Sequence, residues 1–178
     1  VRIPVSVKMS TFYSSLSNMA AKLTEAGADG LLLFNRLYQP DVDLEEFEVL
    51  PRLTLSTPES ARLAVRWIGL LYGVVNADLA LTSGIHDANE ALKGIAAGAT
   101  VTMMTSEILK NGAGRFWAIE RDMVAWLEEK EYTSVAQLRG ALSRRGVRDE
   151  DAFTRANYKA TLDAWRPDTT AADPLGRR

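Results

Sequence analysis

Four short apolar runs in this chain each stop at residues able to hold or read a ligand: Lys8, Asn35, Ser83-Gly84 and Thr105-Ser106. Lys8 is a positive charge, which beside a cofactor that gains electrons favours the reduced form. Asn35 carries donors and an acceptor on one side chain, suited to a planar, amide-rich substrate or to bridging loop backbone. A small residue before glycine lets backbone come close to a ligand. A hydroxyl pair opening a helix offers N–H and O–H groups to a phosphate. Each has a plainer explanation. Lys8 reads equally as a solvated strand end, Gly84 as a tight turn and Thr105-Ser106 as a helix cap. His86, the only histidine, has no carboxylate partner evident in the sequence. It reads as a surface loop residue rather than a general base.

The runs that carry these residues predict strands. Ile3 to Val7, Gly30 to Phe34, Leu79 to Leu81 and Thr100 to Met104 are apolar throughout rather than alternating. That pattern marks a parallel sheet buried on both faces. Between them lie helical patterns. Leu16, Met19, Ala20, Leu23 and Ala26 recur at helical spacing before Gly27. Thr57-Pro58-Glu59 opens a helix with Ala61, Ala64, Val65, Ile68 and Leu71 on its apolar face. Asp87 to Glu90 resembles a capping box for a helix that closes at Gly98. Further helices are predicted around Ser106 to Lys110, Phe116 to Lys130, Ser134 to Ser143 and Asp151 to Trp165. Phe47, Val49, Leu53 and Leu55 alternate about Pro51-Arg52 and predict a small inserted hairpin. The tail after Arg166 is polar and Pro-rich and reads as disordered.

The order βαβαβαβα fits a doubly wound α/β sheet or a (β/α)₈ barrel. Four units are half of a barrel, which takes ~250 residues. The expectation is the C-terminal half of a TIM barrel, its last four βα units plus extra helices over residues 1–165, with a tail at 166–178. In such barrels the loops after strands seven and eight frequently hold a phosphate. Ser83-Gly84 and Thr105-Ser106 would occupy those two loops.

Composition narrows the function classes. The chain has 178 residues, 47% apolar and 25% charged, as in an ordinary globular domain. It has no cysteine, so disulfides, thiolate metal sites and a cysteine nucleophile are excluded within it. A net charge of −2 does not favour a general nucleic-acid surface. No apolar run approaches the ~20 residues of a membrane span. A cytoplasmic location is the default expectation. The chain opens Val1-Arg2-Ile3-Pro4 with no methionine, and the reading is a piece of something longer.

Taken together, Val5-Ser6-Val7-Lys8, Ala28-Asp29-Gly30 to Asn35, Thr82-Ser83-Gly84-Ile85 and Gly98-Ala99-Thr100 to Ser106 resemble the dihydroorotate dehydrogenase family. The related domain of dihydropyrimidine dehydrogenase is similar too, and the nearest likeness is to the dihydroorotate dehydrogenase-like branch. The resemblance covers roughly residues 3 to 145, and Glu131 to Val135 with Leu138-Arg139-Gly140 looks like the family's closing helices. It implies FMN. Lys8 would match the lysine beside the flavin's pyrimidine ring, Ser83-Gly84 a Gly-Gly phosphate turn, and Thr105-Ser106 a Gly-Thr or Cys-Ser pair. Asn35 would match an asparagine that hydrogen-bonds the pyrimidine substrate. The implied reaction is oxidation of dihydroorotate, or a related dihydropyrimidine, by hydride transfer to the flavin. Arg36 stands where the family usually has Ser or Thr, and Ser83 replaces a glycine. The family's catalytic base, a Cys or Ser, lies on a loop before the strand that carries Lys8. That loop is not in this chain, so no catalytic residue and no metal ligand is assigned, and the chain is expected to be inactive alone.

Three rivals stand beside this reading. A dihydrouridine synthase-like flavin barrel would need a basic RNA surface, but Asp149, Glu150 and Asp151 follow the cluster Arg139, Arg144, Arg145 and Arg148. A flavin-free phosphate-binding isomerase or aldolase would use the same phosphate turns, with Lys8 as a Schiff-base lysine. A non-catalytic half-barrel would serve as an interaction module, and its open edge strands would drive homodimerisation.

Overall fold

A computed structural model describes residues 1–37, 39–153 and 157–164. Four parallel strands form the main sheet: β1 (Ser6–Lys8), β2 (Gly30–Leu33), β5 (Asp78–Thr82) and β6 (Val101–Met103). The short strands β3 (Asp41–Asp43) and β4 (Glu48–Leu50) pair antiparallel as a separate ribbon. The helices are α1 (Leu16–Glu25), α2 (Arg62–Leu71), α3 (Ala88–Ala97), α4 (Ser106–Asn111), α5 (Arg115–Glu129), α6 (Val135–Leu138) and α7 (Asn157–Ala164). Spatial order in the sheet is β1-β2-β5-β6, the same as chain order. A doubly wound sheet reverses its strand order at a switch point. Among the described residues this sheet shows no such reversal.

One face of the sheet is covered, and the other is covered only over its two central strands. Register aligns Lys8 with Leu32, Leu32 with Ala80, and Ala80 with Val101. Side chains alternate across a sheet, so Lys8, Leu32, Ala80, Thr82, Val101 and Met103 share one face. Leu31, Leu33, Leu79 and Leu81 point the other way and are buried in the main core with Leu16, Ile68 and Leu71. α2 packs on β2 and β5, and α3 packs on β6 and α2. The opposite face is more open: Lys8, Val101 and Met103 are exposed on it. The expectation of strands buried on both faces therefore holds for β2 and β5 but not for β1 and β6.

Strand ends are fixed by specific bonds. The Val5 N–H donates to Asp29 Oδ2 at 2.7 Å and the Asp29 N–H returns to the Val5 carbonyl at 2.8 Å, tying the entry of β1 to that of β2. Thr100 Oγ1 donates to Asp78 Oδ1 at 2.8 Å, doing the same for β6 and β5. Asp87 caps α3, its Oδ1 accepting from the Asn89 and Glu90 N–H groups at 2.8 and 3.2 Å.

Three expectations change. The hairpin turns at 44–47, not at Pro51-Arg52, because Asp43 Oδ1 accepts the Glu45 and Glu46 N–H groups at 2.9 and 3.1 Å and closes the turn there. The helix foreseen over 134–143 is a single turn, α6. Gly140 ends it at φ +81°, where a Cβ would lie 2.2 Å from the Tyr72 ring. The helix foreseen over 151–165 is a 3₁₀ turn, Glu150–Phe153, followed by α7. The expected tail at 166–178 lies outside the described residues.

Candidate functional site

The C-terminal ends of the four parallel strands open on one cavity of about 540 Å³. That is the size of a small-molecule or cofactor site. Lys8, Asn35, Ser83, Gly84, Thr105 and Ser106 all line it. Six residues chosen from four separate stretches thus meet in one place. Arg36, Arg52 and Ser56 line it as well, which adds two guanidinium groups to the Lys8 ammonium. Phe34, Leu55, Ile85 and Met104 supply apolar wall. Cationic and hydroxyl groups beside an apolar wall suit an anionic ligand with a flat apolar body.

Backbone geometry explains the residue types at the third strand end. Ser83 and Gly84 both sit at φ +79°. That region favours glycine, and a serine there costs about 1–2 kcal/mol. A Cβ on Gly84 would lie 2.3 Å from the Ala61 backbone nitrogen. The bare glycine therefore serves the approach of the α2 N-terminus as much as any ligand. Ser83 Oγ is buried and has no hydrogen-bond partner. A hydroxyl left unpaired on the cavity lining is a group that a ligand oxygen would satisfy.

Behind the cavity runs a network not evident from the sequence. The Ser56 N–H donates to Ser106 Oγ at 2.9 Å. Ser56 Oγ lies 3.2 Å from His86 Nε2, and His86 Nδ1 lies 3.1 Å from Glu107 Oε2. Asn111 Nδ2 donates to Glu107 Oε1 at 2.9 Å, and Arg115 Nε donates to the same oxygen. Arg115 also reaches the His86 carbonyl at 3.1 Å. His86 is therefore not a surface loop residue: its side chain is 12% exposed and its carboxylate partner is Glu107. Burial works to raise the Glu107 carboxyl. Hydrogen bonds from Arg115, Asn111 and His86 outweigh it and hold the group below the usual carboxylate range.

Hydroxyl, imidazole and carboxylate in this order resemble a nucleophile relay. Here Glu107 is already matched by Arg115, and Ser56 is 3% exposed. With its carboxylate engaged in this way, the set acts as a fastening between the 51–57 segment, the β5 turn and α4. Among the described residues no cluster of three or more His, Asp or Glu side chains is arranged to hold a metal ion.

Curated relatives agree with the likeness carried by the strand ends. The catalytic subunit of dihydroorotate dehydrogenase B (NAD(+)) from Desulforudis audaxviator is 32% identical over 149 residues, covering 82% of this chain and 48% of that protein. The same subunit from Pelobacter propionicus is 34% identical over 143 residues, covering 78% and 46%. The chain is a homologue of the dihydroorotate dehydrogenases. A more distant catalytic subunit, from Sulfolobus acidocaldarius, is 28% identical over 145 residues. This dihydroorotate dehydrogenase homologue spans about half the length of the curated relatives it matches. No protein-family model matches it. Among its described residues, no helix is long and apolar enough to cross a membrane.

Proposed function

We propose that this chain is the cofactor-holding half of an FMN-dependent oxidoreductase that oxidises dihydroorotate, or a closely related dihydropyrimidine, in pyrimidine biosynthesis. The observation that carries the proposal is the convergence of six residues, from the ends of four adjacent parallel strands, on one cavity. The names of the relatives support the reaction class. When bound, FMN would supply the hydride-accepting chemistry. Ser83, Gly84, Thr105 and Ser106 would hold its phosphate, and the unpartnered Ser83 hydroxyl is in keeping with that role. Lys8 would set a positive charge beside the ring that becomes anionic on reduction. Asn35 would read the amide edge of the dihydropyrimidine. Arg36 adds a second cation for a substrate carboxylate.

The remaining strands of a (β/α)₈ barrel are part of the same proposal. Sheet order equal to chain order, helices on one face and an open second face all suit a half-barrel. β1 and β6 are the edges that an upstream half, or a second copy of this chain, would pair. The relatives are named catalytic subunits of dihydroorotate dehydrogenase B (NAD(+)), and we carry a place in such an NAD(+)-linked assembly to this chain as part of the proposal.

The test is titration with FMN and with riboflavin, which lacks the phosphate, on this chain and on the chain with its upstream half restored. Saturable binding that favours FMN and weakens in Lys8→Ala supports the proposal. A completed protein that takes inorganic phosphate or a sugar phosphate but ignores flavin overturns it in favour of a flavin-free isomerase or aldolase.

A further inference from the structure

We propose that Ser56 and His86 make anion binding in this cavity proton-linked: a proton on His86 frees the Ser56 hydroxyl to donate to a phosphate ester, which then binds more tightly. The inference rests on the reading of the cavity as a phosphate site.

The argument is one of donor and acceptor directions. Glu107, held ionised by Arg115 and Asn111, can only accept. The His86 Nδ1 that faces it must therefore carry a hydrogen. In the neutral ring Nε2 then has only a lone pair. Ser56 Oγ, 3.2 Å away, must spend its hydrogen on that lone pair. Its remaining lone pairs would face an incoming anion and repel it. With a second proton on the ring, Nε2 becomes a donor and Ser56 Oγ becomes its acceptor. The Ser56 hydrogen is released toward the cavity that Ser56 lines together with Ser83 and Thr105. The imidazolium also adds one positive charge directly behind the hydroxyl.

Charged groups face the ring from three sides. Glu107 faces it from α4, and Glu59, on the turn before α2, attracts it. Arg115 opposes the proton from α5, where it also holds the His86 carbonyl. Asp87, next in the chain, is turned to cap α3. Two carboxylates thus face the ring against one guanidinium. His86 would not touch the ligand. It is a positioning residue that acts through Ser56.

Linkage supplies the test. If protonation tightens anion binding, the bound anion must shift the His86 titration upward by the same factor. His86 is the only histidine, so its ring signals in the 178-residue chain are assigned without ambiguity. We would follow them by NMR between about pH 5 and pH 8, with and without saturating inorganic sulfate, which keeps one charge state across that range. Sulfate should raise the titration midpoint by about half a pH unit, a threefold preference for the protonated site. Ser56→Ala should remove most of that shift, and Ser56→Thr, which keeps a hydroxyl, should restore it. Occupancy is read separately from the backbone amides of Ser83, Gly84 and Thr105. Amide shifts with an unmoved His86 midpoint overturn this inference and leave the phosphate reading standing. No amide response to sulfate or to FMN overturns both.

Discussion

The two sides of the same four strands make opposite use of their residues. On the helix-covered face, Leu31, Leu33, Leu79 and Leu81 are all 2% exposed or less and belong to the main apolar core. Past the strand ends the chain carries Lys8, Asn35 and Thr105, which are exposed, and a buried polar chain from Ser56 through His86 to Glu107. The first region works by area and close packing, which are non-directional. The second works by donors and acceptors whose directions matter. Stability and ligand recognition are thus set by neighbouring residues on one strand, and substitutions should separate them.

The largest separation should come from Leu81→Ala. Leu81 is fully buried, and Gly94 of α3 approaches so closely that a Cβ there would lie 2.4 Å from Leu81 Cδ2. A helix backbone pressed on that side chain is slow to collapse into the hole left by truncation. The expected loss is about 2–5 kcal/mol of unfolding free energy, measured by denaturant titration. Ligand affinity per folded molecule should stay unchanged. A drop in affinity as large as the drop in stability would show that the two regions are not separate.

Gly84→Ala should cross the divide. A residue with a Cβ at φ +79° is strained by about 1–2 kcal/mol, and this Cβ would strike the Ala61 nitrogen. Relief requires the turn to shift, which moves Ser83 and the wall of the cavity. Both unfolding free energy and flavin or sulfate affinity should fall together. A variant that loses stability but binds as before would place the ligand elsewhere in the cavity.

The contrast between the regions also explains what was legible in the sequence. The β2 and β5 runs stand out because burial on both faces demands apolar residues, β1 and β6 are shorter and half-exposed, and the six cavity residues stand out because each lies at or just past the end of one of the four strands. The polar network did not. Ser56, His86 and Glu107 are 30 and 21 residues apart, in two loops and one helix, and no local pattern records that they meet. The one available signal was a lone histidine next to the small-residue turn of a strand end. The hairpin was displaced for a related reason. Its turn is made by the Asp43 side chain, while alternation of Phe47, Val49, Leu53 and Leu55 pointed to Pro51. Phe47, Val49 and Leu53 are all exposed, so their alternation records no buried face.

A smaller effect should come from Glu107→Gln, through pH. The folded protein holds the Glu107 carboxyl below its ordinary value of 4.5. A lowered carboxylate stabilises the fold above that ordinary value, and the stabilisation is lost as pH falls below it. Wild-type stability should therefore decline on acidification below about pH 4.5, and Glu107→Gln should decline less steeply there. At neutral pH the variant gives up charge-assisted bonds to Arg115 and the Nδ1 contact of His86, a loss on the order of 1 kcal/mol. Identical acid slopes in chemical unfolding of the two proteins would remove the Glu107 charge from the account of the polar network.

Lys8→Ala should change stability least and discriminate most. Lys8 is an exposed strand-end side chain, and its strand is held by backbone pairing to β2 and by the Asp29 bonds to Val5. Surface substitutions of this kind stay within about 0.5 kcal/mol. Its charge nevertheless stands at the cavity with Arg36 and Arg52. Arg52 is already paired with Asp41 at 3.1 Å, so removing Lys8 should weaken an anionic ligand several-fold, and added salt should shrink the difference by screening. Riboflavin affinity separates the two parts the lysine could play. If Lys8 serves the phosphate end, only FMN weakens in the variant. If it stands beside the ring, FMN and riboflavin weaken together, and the reduced forms of both weaken more than the oxidised ones.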